Sequence, residues 1–504
     1  MKNSAVLLFL VSLLVNIPNL LSAQEGEKNP IEQCLSSVVT IALYELGEND
    51  AIFGFGDDER ERESEIAYQK ALDLSGSVSA GSGFVIEYKG QRYIVTNAHV
   101  LDGAAMGEDA IRVYNIGRER FPVRFVGGDS FYDIAVLAFE EADSEKRFTA
   151  IPFAKKPAGL TDKVFAIGNP LGKYPYTITD GIVSGKNRLF QNPTTGKYGF
   201  MQHTATLIWG NSGGPLVNSQ GELVGVNSWI GTDVKNNQQF IFSQLNFAIE
   251  SDLVQQLVGE IIDNNGRVRR NFTGIEFGTR RDYLDLDSPP FIQDIVSGSP
   301  ASELMADKVG YYVTAINGEP TKTLQDILRI FERAAKEATF EFSLSEEMPD
   351  FSQTSKMAGF KKVEKVSVSA SDMSIENLEK IANHFFDKYG DYQLKEENGG
   401  LHLRKKTGKP KARIEKVLID DMQAKYVVEA GQDEYEVIGA GLFDNWGRGT
   451  LYRAKSLKDI GAVIRLCSME GHLSMSVQRE DDSIENIRFF LQDANFEELR
   501  VLYY

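Results

Sequence analysis

Gly210-Asn211-Ser212-Gly213-Gly214-Pro215-Leu216-Val217 sets a serine among three glycines, just ahead of an apolar run. Glycines let a backbone turn tightly and bring amides close to a carbonyl, so Ser212 reads as a nucleophile with the Gly210 and Ser212 N–H groups as oxyanion donors. A glycine-rich turn without chemistry would account for the glycines alone. It would not account for His99 at the end of an apolar strand in Thr96-Asn97-Ala98-His99-Val100, or for Asp133 opening the run Asp133-Ile134-Ala135-Val136-Leu137. An imidazole suits proton transfer near neutral pH, and a carboxylate on its other nitrogen fixes the tautomer and stabilises the imidazolium. Nucleophile, base, orienting acid and oxyanion donors are the four parts that acyl transfer at an amide carbonyl requires.

Such residues need rigid elements to hold them. From Ser37 to about Asp263 the pattern is one of short β-branched and aromatic runs separated by turn residues, among them Val38-Val39-Thr40-Ile41, Gly83-Phe84-Val85-Ile86 and Tyr93-Ile94-Val95-Thr96. Regularly spaced strands without intervening helices predict antiparallel barrels or sandwiches. The charge run Asp57 to Glu63 interrupts them as a surface loop. Beyond Arg267 the signals change: Thr323 and Asp326 have capping-box spacing ahead of Leu324, Ile327, Leu328 and Phe331, and Phe340, Phe342 and Leu344 alternate as a strand. The pattern recurs ungapped in Lys455-Ser456-Leu457-Lys458-Asp459-Ile460 and Leu473, Met475 and Val477, which suggests a duplicated unit. Between the copies lie a helix from about Ser374 to Tyr389 and a basic stretch, Arg404 to Lys416, read as a solvated hairpin.

A chain of 504 residues, 42% hydrophobic and 25% charged, implies about two to four domains. Met1 to Ala23 reads as a secretory signal, with Lys2, an apolar stretch and small residues at the cleavage positions, and it places the mature chain in the periplasm or outside the cell. No later run is long and apolar enough to cross a bilayer, so no stable membrane span is expected once the signal is cleaved. A net charge of -18 argues against general affinity for nucleic acid or anionic membranes. Only Cys34 and Cys467 are present, so at most one disulfide forms and core packing carries stability. His203, His384, His402 and His472 sit in no metal-ligand spacing, and neither metal nor cofactor is expected.

The three chemical segments closely resemble the trypsin-like HtrA/Deg family of exported serine proteases, whose His, Asp, Ser order is that of chymotrypsin. The resemblance continues through Gly81-Ser82-Gly83-Phe84-Val85-Ile86, Gly168-Asn169-Pro170-Leu171-Gly172, Gly181-Ile182-Val183-Ser184 and Asn246-Phe247-Ala248-Ile249. It implies an all-β double-barrel protease domain at 24–263 after the signal at 1–23, with His99, Asp133 and Ser212 as the triad of an endopeptidase acting on unfolded or misfolded exported proteins. It places Thr206, six residues before the nucleophile, at the base of the specificity pocket and Leu207 and Ile230 on its walls, which implies cleavage after small or medium apolar residues. Thr204, Ile208 and Trp209 depart from the family's usual Asp, Asn and Pro or Arg. Asn211 is neutral and so excludes the ion pair with a new N-terminus that activates digestive trypsins.

Residues 267–347 resemble a PDZ domain of the same family, an α+β unit in which Phe272-Thr273-Gly274-Ile275 would be the carboxylate-binding loop, followed by Ser299-Pro300-Ala301 and Ala315-Ile316-Asn317-Gly318. Phe272, Gly274 and Ile275 would then bind peptide C-termini as an added β-strand, unless the domain is a spacer with a closed groove. Residues 350–504 form a further α+β region, with a second, divergent PDZ-like unit at Lys411 to Glu480 as one reading. The family also implies a homo-oligomer, a trimer or larger. A peptide-binding chaperone or scaffold with an unassembled triad is the alternative.

Overall fold

The computed structural model describes residues 29–44, 77–101, 111–141, 143–169, 176–187, 198–235, 238–281, 287–349, 363–389, 392–397, 399–406, 416–419, 422–425, 434–443, 449–466, 472–478, 483–491 and 498–504. The signal segment, the charge run at 57–63, Pro170 to Gly172, Cys467 and most of the basic stretch lie outside them. The chain divides into two compact units. One holds residues up to Phe125 with Leu137–Val183 and Thr204–Asn227, and the other holds Val126–Val136, Ser184–His203 and Ser228–Tyr504.

The runs expected as strands are strands. Val38–Tyr44 pairs with Ser77–Tyr88, which turns through Lys89 (φ 51°) and Gly90 (φ 79°) into Gln91–Thr96. Two consecutive residues at positive φ make the tight hairpin turn whose twist matches its strands. The sheet runs in the order Arg120–Phe121, Ile111–Tyr114, Val38–Tyr44, Ser77–Tyr88, Gln91–Thr96, Ile134–Phe139 and Val123–Asp129. Its first and last strands are consecutive in sequence, joined only by Pro122, so the sheet curls upon itself. Proline, with no N–H to give the ladder, suits that corner. Val39, Ile41, Phe84, Val85, Ile94 and Val95 are wholly buried in it.

A closed barrel follows, in the order Phe200–His203, Gln238–Glu250, Leu223–Lys235, Pro215–Asn218, Lys163–Gly168 and Thr177–Lys186. Helix Ser251–Asp263 ends this region, and its Leu253, Val254, Leu257, Val258 and Ile261 form the single buried stripe of an amphipathic helix.

The rest of the second unit has two larger sheets, besides the two-stranded pairings of Asn271–Phe272 with Ser371–Asp372 and of Lys416–Ile419 with Met422–Lys425. One runs Glu364–Ser369, Thr339–Ser345, Tyr312–Ile316, Phe291–Ile295, Ile275–Arg281 and Glu498–Tyr503. Helix Leu324–Arg333 packs on it, with Phe331 stacked on Phe340 at 4.1 Å and beside Phe277 at 5.9 Å. The other sheet runs Tyr392–Glu397, Gly400–Lys405, Glu434–Phe443, His472–Gln478 and Ile484–Phe490. Helices Ile375–Tyr389 and Leu457–Leu466 approach so closely that a Cβ at Gly461 would lie 2.0 Å from the Leu378 carbonyl oxygen.

The repeat read from the sequence is present as structure. Helix Leu324–Arg333 and strand Thr339–Ser345 recur at one constant offset as helix Leu457–Leu466 and strand His472–Gln478. Both helices begin alike: Asp326 accepts the N–H groups of Lys322 and Thr323, and Asp459 accepts those of Lys455 and Ser456.

Candidate active site

Ser212 lies in the turn ahead of strand Pro215–Asn218, and neighbouring groups fix that turn on every side. Asn211 N–H donates to the Ile208 carbonyl (3.1 Å), Gly214 N–H to Asn211 (3.0 Å) and Gly213 N–H to Asn227 (2.8 Å). Gly210 has φ 96°, and its carbonyl accepts the Ser82 hydroxyl at 2.7 Å. Ser82 is the hub of this bracing. Its hydroxyl accepts the Asn169 N–H (2.8 Å), its N–H donates to the Ser212 carbonyl (2.9 Å), and its carbonyl accepts the Thr96 hydroxyl (2.7 Å). The Gly81-Ser82-Gly83 motif, legible only as a family likeness, is thus the clamp on the Ser212 turn.

Histidine 99 is half-buried in a short 3-10 turn, three residues past the end of strand Gln91–Thr96, where the strand end was expected. Two glycines show how closely this turn meets the serine turn. A Cβ on Gly213, which has φ 82°, would lie 2.2 Å from both the Ser82 carbonyl oxygen and the Thr96 hydroxyl and 3.0 Å from the Asn97 nitrogen. A Cβ on Gly81 would lie 2.7 Å from the Val100 side chain and 3.3 Å from the Ser212 carbonyl oxygen. Thr96 and Asn97, ahead of His99, therefore abut Gly213, while Val100, after it, packs on Gly81, which itself lies beside the Ser212 carbonyl.

In the other unit, Asp133 is buried immediately before strand Ile134–Phe139, with its backbone at φ 61°. Left-handed backbone disfavours side-chain-bearing residues and is kept where surrounding contacts enforce it. The Ser228 hydroxyl donates to Asp133 Oδ2 at 2.6 Å, a short hydrogen bond of the charge-assisted kind. Ser228 was not foreseen, and nothing in the sequence distinguishes it from any strand serine.

Thr206 is half-buried, and its carbonyl accepts the Thr179 hydroxyl at 2.8 Å; Leu207 is buried, and Ile230 is half-buried on strand Leu223–Lys235. The departures from the family pattern have local roles. Thr204 trades hydrogen bonds with Ile182 (2.9 and 3.0 Å), the Ile208 carbonyl closes the serine turn, and Trp209 is 53% exposed.

In the PDZ-like region Phe272, Thr273 and Ile275 are wholly buried, and Gly274 at φ 81° leaves no room for a Cβ, which would lie 1.9 Å from that of Ser299. Strand Ile275–Arg281 pairs on its open side with the chain's own Glu498–Tyr503. The same unit holds a buried charge cluster. Arg270 grips Asp129 through two hydrogen bonds (2.8 and 2.7 Å) and donates to Glu332 (2.9 Å), Arg465 lies 3.7 Å from Glu332, and the Tyr504 hydroxyl donates to Glu332. Burial raises the Asp129 pKa, but the charge and hydrogen bonds of Arg270 outweigh it and hold the carboxyl below its ordinary value.

Glu276, Asp294 and His384 offer ligand atoms within 4.8 Å of one another, a grouping that the spacing of the histidines does not announce. The groups are already paired, His384 with Glu276 at 2.7 Å and Lys388 with Asp294 at 2.6 Å. Cys34 is a free buried thiol.

Residues 81–226 match the family model of the trypsin-like peptidase domain. The chain is 33% identical over 277 residues to a protein named probable periplasmic serine endoprotease DegP-like from Pseudomonas savastanoi pv. phaseolicola, covering 53% of this chain and 50% of that one. It is 39% identical over 198 residues to the serine endoprotease DegS of Escherichia coli, covering 39% and 51%. The chain thus spans about half the length of the curated relatives it matches. Among solved structures, a serine endoprotease from Yersinia pestis aligns with 69% of this chain and 97% of its own at 22% identity, with a TM-score of 0.46. The curled sheet, the barrel and the serine turn define a domain of the trypsin-like peptidase class. The curated relatives it resembles over that domain bear the names DegP-like and DegS.

Proposed function

We propose that this protein is an exported serine endopeptidase in which Ser212 attacks the substrate carbonyl, His99 takes its proton and returns it to the leaving amine, and Asp133 orients the imidazole. Water then hydrolyses the acyl-enzyme, with the Gly210 and Ser212 N–H groups as the oxyanion donors. The observation that carries the reading is the packing of the His99 turn against the Ser212 turn about Gly81 and Gly213, which allows a side chain at neither glycine. The bracing of Gly210, Asn211, Gly213 and Gly214 around Ser212 supports it, because a preorganised donor pair needs a turn that does not relax.

The substrates under this reading are unfolded or misfolded exported polypeptides, cut after small or medium apolar residues. Thr206, Leu207 and Ile230 bring no charge to the pocket, and relatives named as periplasmic proteases accord with export. Among the described residues no helix is long and apolar enough to cross a membrane. The segment 267–347 acts as a PDZ-like peptide-binding unit, 350–504 holds a second, divergent copy of its helix and strand, and the working assembly is a homo-oligomer.

Hydrolysis of unfolded casein and labelling by a fluorophosphonate test the activity directly. Both are expected for the intact chain and absent for Ser212→Ala. A chain that neither labels nor cleaves, yet holds unfolded casein in solution, is a chaperone and overturns the proposal.

A further inference from the structure

Strand Glu498–Tyr503 reaches its partner strand, Ile275–Arg281, from the far end of the sequence. The register is antiparallel, with Glu276 opposite Tyr503, Gly278 opposite Val501 and Arg280 opposite Leu499. It is the edge strand of that sheet, laid along a row of N–H and C=O groups that would otherwise be open.

The Phe272–Ile275 loop holds the end of this strand in a specific way. Ile275 N–H donates to the main-chain oxygen of Tyr504 at 2.7 Å, the Thr273 hydroxyl donates to the same oxygen at 2.5 Å, and Tyr504 N–H returns a bond to the Ile275 carbonyl at 3.1 Å. Strand addition plus a main-chain oxygen held by a loop amide is how a groove takes an extended peptide. The Tyr504 ring lies on Phe331 of helix Leu324–Arg333 at 4.5 Å and beneath the Arg465 guanidinium at 4.9 Å, and its hydroxyl ends on the buried Glu332 carboxylate. Phenylalanine would fill the same space but leave that carboxylate short of a donor, which is the basis for strong discrimination against an analogue lacking a hydroxyl.

We propose that residues 498–504 are a self-ligand of this groove, selected by the Tyr504 phenol on Glu332. Extended peptides of the same chemistry, presenting a tyrosine to Thr273 and Ile275, bind there only when that segment has left. The inference rests on the reading of 267–347 as a peptide-binding unit. It also changes what that unit does in the resting chain, since its groove is full until something vacates it.

The test uses the full chain carrying Ser212→Ala, to prevent self-digestion, with a site for a sequence-specific protease placed between residues 491 and 498 and cut only after folding. Binding of a fluorescent Glu-Leu-Arg-Val-Leu-Tyr-Tyr peptide is followed by polarisation before and after the cut. A tethered competitor at an effective concentration on the order of 1 mM, against a peptide Kd on the order of 10 µM, makes the uncut chain bind about 100-fold more weakly. The same peptide ending in phenylalanine is expected to bind the cut chain about tenfold more weakly than the tyrosine form. Equal binding before and after the cut overturns self-occupancy. A cut chain whose strand does not exchange over a day with excess peptide marks 498–504 as a fixed structural strand and also overturns it. A cut chain that loses the strand, keeps its circular dichroism and binds no peptide instead refutes the peptide-groove reading beneath.

Discussion

Replacing Ser228 by alanine removes the hydroxyl that donates to Asp133 Oδ2 at 2.6 Å. Asp133 is only 7% exposed, so water does not readily take the place of that donor. A hydrogen bond to a charged group is worth about 1.5–3 kcal/mol, and if it holds Asp133 in position through the transition state its loss lowers kcat/KM about 10- to 150-fold. The assay is hydrolysis of a fluorogenic peptide, with active sites counted by fluorophosphonate titration so that misfolded protein does not pass for slow protein. Ser228→Thr keeps a hydroxyl and should recover much of the loss, which a purely structural role would not require. The reasoning fails if Ser228→Ala keeps full kcat/KM per titrated site, or if Asp133→Asn does.

Gly213→Ala adds a Cβ at φ 82° that meets two oxygens at 2.2 Å, and it should lower casein hydrolysis at least ~100-fold, as loss of an oxyanion donor does; activity near that of the unaltered chain would show that the turn yields. Arg270→Ala leaves Asp129 and Glu332 buried without their main cation and should cost about 3–5 kcal/mol in urea unfolding. Because the folded pKa of Asp129 is depressed, its contribution to stability is full above the ordinary carboxylate pKa of about 4 and is lost as pH falls below it. Asp129→Asn should therefore flatten the fall in melting temperature below pH 4, and an unchanged slope would count against the pair. Burial pushes the Cys34 thiol up to about 11, so in a Cys467→Ser background it should resist a thiol reagent at pH 8 until the chain unfolds; rapid labelling of the native chain contradicts its burial.

Ser212, His99 and Asp133 could be singled out as candidates because they sit in local motifs whose glycines and apolar flanks announce the turns and strands around them. The duplicated helix and strand were legible for a similar reason, since Thr323 with Asp326 and Ser456 with Asp459 are start signals written within four residues. What escaped was whatever depends on partners distant in sequence. Ser228 looks like any strand serine until Asp133 is brought to it, and the left-handed backbone of Asp133 follows from the turn it closes rather than from its side chain. Glu276 and Glu332, carboxylates that composition would place in water, are buried because His384, Arg270 and the Tyr504 hydroxyl meet them. Leu499 to Tyr504 is an apolar run broken only by Arg500 and buried along its length, so no periodicity says that its partner begins at Ile275.

That pairing governs how the protein is made. A sheet whose first strands appear near residue 275 and whose edge is supplied by residues 498–503 cannot be finished while the intervening chain is still being synthesised. Contacts of such long range carry a large loop-closure cost before they repay it, and they slow folding. The sheet and its edge strand therefore mature late, and until then the main-chain groups of Ile275–Arg281 that pair with that strand stay open.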